Sequence, residues 1–263
     1  MNKMIIGLSG KKGSGKDTVC ALMKEILGHG KSFALADPIK DIASTYMGIS
    51  NSLCYATNDI KNSTYTDWLW EEIPSNLLTT PRTGSRTKNG KTGRMTVREV
   101  LQWIGTELFR ENMHKDFWVR ATINRIDSDK SFYDKFNGGE IFHNTFENVY
   151  FVTDVRFPNE VEAIRSAGGI VIRIYRSGCA GANDTHPSET SLDHADRDSF
   201  FGQSIFWKEK PNTRSNTYKA TSVMAREKNN KLLAFDYSID NDIDDLFILK
   251  DAAKKLLAFA KIE

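Results

Sequence analysis

The sequence predicts an α/β fold in which a mainly parallel sheet carries helices on both faces. Three observations predict it. Short apolar runs typical of buried strands alternate with amphipathic helical patterns along the chain. A strand-helix-strand succession near its middle implies parallel pairing. The 263 residues, of which 40% are apolar, can form one sizeable core, and we interpret them as a single domain with insertions.

The first elements are marked by glycine and proline. A strand is predicted over residues 4–8, followed by a glycine-rich turn and a helix whose apolar stripe ends at Gly28. A second short strand is predicted over residues 33–36. Asp37 then has the position of a helix cap, and Pro38 that of the first helical residue.

The rest of the chain alternates between two polar excursions and regular patterns. Residues 51–95 and 177–231 are polar and predict irregular excursions. Between them, Thr96 and Glu99 have the spacing of a capping box, and an apolar helical stripe follows them. The remaining predicted elements are strands over residues 149–152, 170–175 and 232–239 and helices over residues 158–167 and 243–260.

Charge and cysteine content exclude several classes of protein. The formal net charge of +2 is too small to indicate nucleic acid or a membrane as the main partner. The three cysteines, Cys20, Cys54 and Cys179, are far apart and show no CxxC spacing, so neither a disulfide framework nor a zinc knuckle is encoded. No apolar run approaches the roughly 18 residues that a membrane span requires. We expect a cytoplasmic location.

A phosphate-binding motif follows the first predicted strand. Residues 10–16 match Gly-x4-Gly-Lys and open the first predicted helix. The glycines allow backbone N–H groups to turn toward an anion, the helix start adds a positive dipole end, and the lysine contacts the β and γ phosphates. The sequence therefore predicts a binding site for a nucleoside triphosphate. The predicted ATP-binding residues of this turn are Gly10, Lys11, Lys12, Gly13, Ser14, Gly15, Lys16, Asp17 and Thr18.

The predicted metal ligands depart from the common pattern. A Ser or Thr usually follows the lysine and binds magnesium, whereas here Asp17 follows and Thr18 comes one residue later. One helical step rotates a side chain by about 100°, so Thr18 does not simply replace that hydroxyl. Either Asp17 reaches the metal or the metal is held elsewhere. Asp17 and Asp154, at the end of a buried strand, are the candidate ligands of Mg²⁺, and Arg156 is placed to neutralise the transferring phosphoryl group.

Six short motifs follow one another along the chain. They are Gly-Lys-Lys-Gly-Ser-Gly-Lys-Asp-Thr (residues 10–18), Ala-Asp-Pro-Ile-Lys-Asp (36–41), Arg-Glu-Val-Leu-Gln-Trp-Ile-Gly-Thr-Glu (98–107), Asp-Val-Arg (154–156), Asp-Thr-His-Pro-Ser-Glu (184–189) and Ile-Asp-Asn-Asp (239–242). In this order they resemble the bacteriophage deoxynucleoside monophosphate kinases. The resemblance covers residues 5–189 and 239–242 and leaves the two excursions largely uncovered.

The resemblance implies a fold and an activity. The fold is a three-layer P-loop kinase domain over residues 1–263, with a monophosphate-binding insertion over residues 48–118 and a lid-type insertion over residues 177–231. The activity is transfer of the ATP γ-phosphoryl group, with Mg²⁺, to a deoxynucleoside 5′-monophosphate. The implied partners are these two nucleotides, with no stable nucleic-acid complex and no membrane. The implied location is the host cytoplasm for a phage-encoded chain. Whether the chain forms a homodimer is left open.

The capped helix carries the best candidates for acceptor binding. Arg98, Gln102 and Thr106 recur at i, i+4 and i+8, so they form one polar line opposite the apolar stripe. The resemblance implies substrate binding by Asp37, Lys40, Arg98, Gln102, Gly105, Thr106, Arg110, His186 and Glu189. It also implies ATP binding by Asn241 and catalytic roles for Lys16, Asp154, Arg156 and Arg176.

Two other functions share parts of these patterns. A P-loop kinase for a hydroxyl acceptor, of the phosphomevalonate or dephospho-coenzyme A type, needs a carboxylate base, and Asp37 is available for that role. A nucleic-acid-stimulated ATPase would bind polyanions with residues 82–94, which hold five basic residues and no acidic one. By contrast, the oxygen of a monophosphate acceptor is already anionic and needs no base.

Overall fold

The structure, a computed structural model, divides into two compact units. One unit comprises Met1–Ala34 and Ile123–Glu263, here called the sheet unit, and the other comprises Leu35–Thr122, here called the helical unit. The residues that the structure describes are 3–74, 77, 92–129, 148–179, 191–192, 204–207, 218–222, 235–242, 245–260 and 262. Within these ranges, no helix has the length and apolar character that a membrane crossing requires.

The strands and helices follow the predicted alternation. In chain order the strands are β1 (Lys3–Ser9), β2 (Lys31–Phe33), β3 (Tyr65–Leu69), β4 (Arg94–Thr96), β5 (Asn148–Val155), β6 (Ile170–Tyr175), β7 (Ser204–Trp207), β8 (Tyr218–Ser222) and β9 (Tyr237–Asp240). The helices are α1 (Lys16–Leu27), α2 (Asp37–Tyr46), α3 (Asn51–Cys54), α4 (Asn58–Ser63), α5 (Val97–Trp103), α6 (Phe117–Asp127), α7 (Pro158–Ser166) and α8 (Leu246–Phe259). A π-helical segment, Ile104–Glu111, continues α5.

The sheet unit is built on seven strands in the order β2-β5-β1-β6-β9-β8-β7. The first five are parallel to one another, and β8 and β7 extend the sheet as antiparallel strands. This arrangement confirms the mainly parallel sheet. Two details differ from the prediction: β1 lies between β5 and β6, and the polar excursion over residues 177–231 contributes two strands.

Helices cover both faces of this sheet, as predicted. Side chains alternate along β1, so Met4, Ile6 and Leu8 pack in one buried cluster with α1 and α8. On the opposite face α7 packs closely, since a Cβ atom added to Gly7 would lie 2.9 Å from Cδ1 of Ile164. The strands that bear these buried residues form the core of the unit.

The start of α2 corrects two predicted boundaries. β2 ends at Phe33 rather than at residue 36, because Leu35 and Ala36 already form the turn into the helix. Ala36 is the N-cap, and its side chain makes no cap hydrogen bond. Asp37 is therefore the first helical residue and not the cap. Pro38 is tolerated in this first turn, where its missing N–H would have no intrahelical partner.

The helical unit contains order where an irregular excursion was predicted. Residues 51–95 include two short helices, α3 and α4, and the two strands β3 and β4, which pair antiparallel. Each short helix has a side-chain cap: Leu53 N donates to Ser50 Oγ, and Ile60 N donates to Thr57 Oγ1. A core of buried side chains joins α3 and β4 to α2 and α5. Its largest members are Trp70, Met95, Ile104 and Trp118.

Candidate functional site

The carboxyl ends of four parallel strands meet at one edge of the sheet unit. Ser9, the last residue of β1, pairs with Val155 of β5 and with Arg173 of β6. Tyr175 of β6 pairs in turn with Asp240 of β9. Ligands of open α/β sheets bind outside such an edge. The predicted phosphate-binding turn begins here, directly after Ser9.

The turn over residues 10–15 is tightened by its own lysine. Ser14 N donates to Lys11 O at 3.1 Å. Lys16 Nζ donates to Gly10 O at 2.6 Å and to Lys11 O at 2.9 Å, and the lysine is buried. Gly15 has φ +91°, the left-handed region that favours glycine. The glycine therefore lets the chain turn sharply from β1 into α1, and that this turn binds an anion stays a prediction.

Asn241, predicted to bind ATP, is bonded to the backbone of the turn. Its Nδ2 donates to Ser14 O at 2.9 Å, and its own N donates to Tyr175 O at 2.8 Å. A Cβ atom on Gly15 would come within 2.3 Å of that Nδ2. Asn241 is buried, and its side-chain amide contacts the phosphate-binding turn. It links the carboxyl end of β9 to the phosphate-binding turn.

Both predicted metal ligands are at least partly accessible to solvent at the carboxyl edge of the sheet. Asp17 and Thr18 are exposed in the first turn of α1, whereas Asp154 is half-buried near the end of β5. Among the described residues, no three His, Cys, Asp or Glu side chains come together as a metal site. Magnesium commonly uses one or two carboxylates together with substrate phosphates and water. A pair of aspartates fits that donor set.

Two arginines each directly follow a parallel strand of the sheet. Arg156 follows β5, and its N donates to Glu160 Oε2 at 2.7 Å, so the buried Glu160 fixes the backbone at this point. Arg176 follows β6 and is half-buried. Next to it, Asp242 accepts hydrogen bonds from Ser177 N and Oγ, and these bonds hold the pKa of the Asp242 carboxyl below its usual value.

Arg173 is a buried charge that the sequence analysis missed. It is 3% exposed within β6, and its Nη1 donates to Ser9 Oγ at 2.9 Å. The guanidinium carbon lies 5.3 Å from the ring centroid of Phe235 and 5.7 Å from that of Tyr175. The available signal was an arginine inside an apolar strand. It anchors the end of β1 just before the turn.

In the helical unit, Asp37 and Lys40 are joined by a residue that was not predicted. Lys40 Nζ lies 3.3 Å from Asp37 Oδ1, which also accepts a hydrogen bond from Tyr55 Oη at 3.1 Å. The same ammonium lies 4.0 Å from the centroid of the Tyr55 ring. The three side chains therefore form one contact group. Tyr55 is exposed and directly follows α3.

The predicted capping box at the start of α5 is confirmed. Glu99 N donates to Thr96 Oγ1 at 3.2 Å, and Thr96 N donates to Glu99 Oε2 at 2.9 Å. Arg98, at the second position of the helix, is exposed, and Gln102 is half-buried. The cap thus fixes the backbone from which the predicted polar line begins.

The second half of that polar line lies in the π-helical segment. A π turn, with hydrogen bonds from i to i+5, holds more residues than the 3.6 of an α turn. Residues four apart in this segment, such as Thr106 and Arg110, therefore return close to the same line. Gly105 admits Ile39, whose Cδ1 would lie 3.0 Å from an added Cβ, and its carbonyl accepts a bond from Trp118 Nε1 at 2.7 Å. That it also admits a ligand stays a prediction.

Some predicted residues lie outside the described ranges. They are His186 and Glu189, together with residues 82–91 of the basic run. The others fall into two sets. The sheet unit holds residues 10–18, Asp154, Arg156, Arg176 and Asn241, and the helical unit holds Asp37, Lys40, Arg98, Gln102, Gly105, Thr106 and Arg110.

Comparison with known proteins points to one family. The family model described as deoxynucleotide monophosphate kinase matches residues 43–203, more than half of the chain. A mimivirus protein, provisionally named a deoxynucleotide monophosphate kinase, is 28% identical over 197 residues, covering 72% of this chain and 82% of that protein. The deoxynucleotide monophosphate kinase of phage T4 is 34% identical over 103 residues (39% and 37%). The deoxynucleoside-5′-monophosphate kinase of phage T5 is 23% identical over 198 residues (62% and 72%).

Proposed function

We propose that this chain, which belongs to the deoxynucleotide monophosphate kinase family, transfers the γ-phosphoryl group of ATP to a deoxynucleoside 5′-monophosphate. The products are ADP and the deoxynucleoside diphosphate. The observation that carries the proposal is the glycine turn at the carboxyl edge of the sheet, closed by Lys16 and bonded to Asn241, in a chain of this family. That turn supports ATP as the donor.

The donor side works through the backbone and one ammonium group. The N–H groups of residues 10–15 and the start of α1 bind the phosphates, and Lys16 contributes its charge to the β and γ groups. Asp17 and Asp154 are the residues that would hold Mg²⁺. When bound, this ion neutralises charge on the β and γ oxygens. Lys12 and Thr18 are exposed.

Charge neutralisation is the second requirement. Negative charge spreads over the equatorial oxygens as the phosphoryl group moves, and guanidinium groups stabilise it well. Arg156 and Arg176, which follow the two parallel strands on either side of β1, are proposed for this role. The acceptor oxygen is anionic at neutral pH, so no general base is needed.

The acceptor side is assigned to the helical unit. Lys40 and Arg98 are proposed to bind the phosphate, and Gln102, Thr106 and Arg110 to contact the nucleoside along α5 and the π-helical segment. Asp37 positions Lys40 through their contact at 3.3 Å. His186 and Glu189 are proposed as residues of a lid formed by residues 177–231, which would exclude water as a competing acceptor.

The geometry of Asp37 disfavours a hydroxyl-acceptor kinase. A base must accept the proton of its substrate. Oδ1 of Asp37 already accepts from Lys40 and from Tyr55, so this oxygen could act as a base only by giving up one of these contacts. A monophosphate kinase has no such requirement, so the contact group of Asp37, Lys40 and Tyr55 is better suited to binding an anionic substrate.

A coupled assay tests the proposed function. The full chain with ATP and Mg²⁺ is offered dGMP, dTMP and dCMP, and in parallel phosphomevalonate and dephospho-coenzyme A. We expect turnover of at least one deoxynucleotide, abolished in Lys16→Ala without loss of the native circular dichroism spectrum. Phosphorylation of none of the nucleotides, or ATP hydrolysis stimulated by DNA in their absence, would contradict the proposal.

A further inference from the structure

Lys61 is a basic residue fixed close to the start of α5. It lies in α4, and Thr64, the residue after that helix, accepts a hydrogen bond from Val97 N at 2.9 Å. Val97 is the first residue of α5, and Arg98 follows it. A single backbone bond therefore joins the end of the helix that bears Lys61 to the beginning of the helix that bears Arg98.

Lys40 lies near Lys61 as well. Its ammonium is over the ring of Tyr55, which follows Cys54, the last residue of α3. Burial raises the pKa of the Cys54 thiol, and the charges of Lys61 and Lys40 act against this rise. Both lysines are thus within electrostatic reach of one buried sulfur atom, at the carboxyl end of α3.

The three basic groups act on one another. Burial lowers the pKa of the Lys61 ammonium, and the charges of Lys40 and Arg98 lower it further. Lys40 has Asp37 as its counterion. Within the described part of the chain, the side chains of Lys61 and Arg98 have no ion pair or hydrogen bond. Holding these cations together disfavours the charged state, and a bound anion would reverse that effect.

We propose that Lys61, with Lys40 and Arg98, binds the 5′-phosphate of the acceptor monophosphate. This inference rests on the proposed function and adds to it a residue that neither the motifs nor the family resemblance identified. A monophosphate ester carries a charge of about −1.5 to −2 at neutral pH, which suits a site of three cations. The planar guanidinium of Arg98 can bind two oxygens, while the lysines contribute point charges.

Three side chains supply the positive charge of this cluster. At the start of α5, Val97 N donates to Thr64 O and Glu99 N donates to Thr96 Oγ1, so these two N–H groups are already engaged. Removing one of the three side chains should therefore weaken phosphate binding. Lys61 is half-buried, and this raises the contribution of its charge above that of an exposed lysine.

Steady-state kinetics and equilibrium binding test the assignment. Lys61→Met and Lys61→Gln remove the charge, Lys61→Arg keeps it, and Lys254→Met removes an exposed lysine of α8 as a matched control. We expect the neutral variants to raise KM for the deoxynucleotide about 10- to 100-fold, the loss typical of a charge-assisted contact, with KM for ATP within about twofold. Lys61→Arg and Lys254→Met should stay near wild type.

Calorimetric titration separates phosphate binding from other effects. Folded Lys61→Gln should lose affinity for the deoxynucleotide but bind the corresponding deoxynucleoside, which lacks the phosphate, as wild type does. Unchanged deoxynucleotide affinity in Lys61→Gln overturns the inference even if Lys61→Met fails to fold, and so does an equal rise in both KM values. If wild type phosphorylates no deoxynucleotide, the proposed function fails, and this inference fails with it.

Discussion

The two phosphate-binding regions proposed for this chain are built from different parts of the polypeptide. The donor turn uses backbone N–H groups of consecutive residues, with one lysine that bonds back to Gly10 and Lys11. The acceptor cluster uses the side chains of Lys40, Lys61 and Arg98, which come from three separate helices. The donor turn needs glycine at fixed positions in the sequence. The acceptor cluster needs the correct tertiary structure, and its residues do not follow a local sequence pattern.

This difference predicts how each region responds to substitution. A backbone site should fail when a methyl group is added in the wrong place, even though no charge changes. A side-chain site should lose affinity in proportion to the charged contact removed and should tolerate changes of the backbone nearby. The substitutions below test these expectations, beginning with the largest effect.

Gly15→Ala should cause the largest loss. An alanine at φ +91° costs about 1–2 kcal/mol, and its Cβ would lie 2.3 Å from Asn241 Nδ2. Because the turn or Asn241 must move, we expect kcat/KM for ATP to fall on the order of 100-fold, as misplaced catalytic groups do. The measurement is the initial rate at varied ATP and saturating deoxynucleotide.

Gly28→Ala is the matched control for that substitution. Gly28 ends α1 at φ +71°, and an added Cβ would meet nothing within 4 Å. Gly28→Ala should lose a similar amount of unfolding free energy but keep the wild-type rate of phosphoryl transfer. The double variant Gly15→Ala/Asn241→Ala removes the clashing amide, so it should be more active than Gly15→Ala alone. Equal rates for Gly15→Ala and Gly28→Ala would refute the close packing of the turn.

Arg98→Ala should have the next largest effect, and on the acceptor alone. Loss of a charge-assisted contact predicts a rise in KM for the deoxynucleotide of about 10- to 100-fold, with KM for ATP nearly constant. Arg120→Ala is a suitable control, because Arg120 belongs to the same unit, is exposed and has Asp116 as its counterion. Equal effects on both KM values would show that Arg98 does not contact the acceptor.

The sequence predicted the parts of the fold whose signals are local and repeated. β1, the glycine turn and α1 follow from an apolar run, glycine spacing and a 3.6-residue stripe, and β6 was predicted residue for residue over Ile170–Tyr175. α3 and α4 have four and six residues, too few for a helical period to appear, so their Ser and Thr caps resembled loop residues. The pairing of β7 with β8 and of β8 with β9 is non-local and has no sequence signature.

The candidate site divides in the same way. The motif identified the donor turn because consecutive residues build it, and strand ends indicated Asp154 and Arg156. Tyr55 and Lys61 were missed because both lie in a polar segment that was predicted to be irregular. Their proximity to other basic or acidic side chains depends on how separate helices pack. Asp37 was predicted as the cap of α2 but is its first helical residue, and its hydrogen bond with Tyr55 is visible only in the folded structure.

Thr96→Val should have the smallest effect and distinguish stability from binding. Thr96 is buried, and valine keeps its shape but removes the oxygen that accepts from Glu99 N. Loss of an N-cap costs about 1 kcal/mol of unfolding free energy. Urea unfolding followed by tryptophan fluorescence reports on the helical unit, because Trp70 and Trp118 lie in its core. Thr96→Ser, which retains the hydroxyl, should recover most of the loss.

The kinetic result of the same substitution bears on how the acceptor cluster is held. Glu99 Oε2 still accepts from residue 96 N, and Val97 N still donates to Thr64 O, so the start of α5 keeps two of its three anchoring bonds. We therefore expect KM for the deoxynucleotide to rise less than about fivefold, since a loss of about 1 kcal/mol corresponds to that factor when each tenfold change requires 1.4 kcal/mol. A rise as large as that of Arg98→Ala would mean that the cap, rather than tertiary packing, positions the arginine, and the contrast between a backbone-built donor site and a side-chain-built acceptor site would fail.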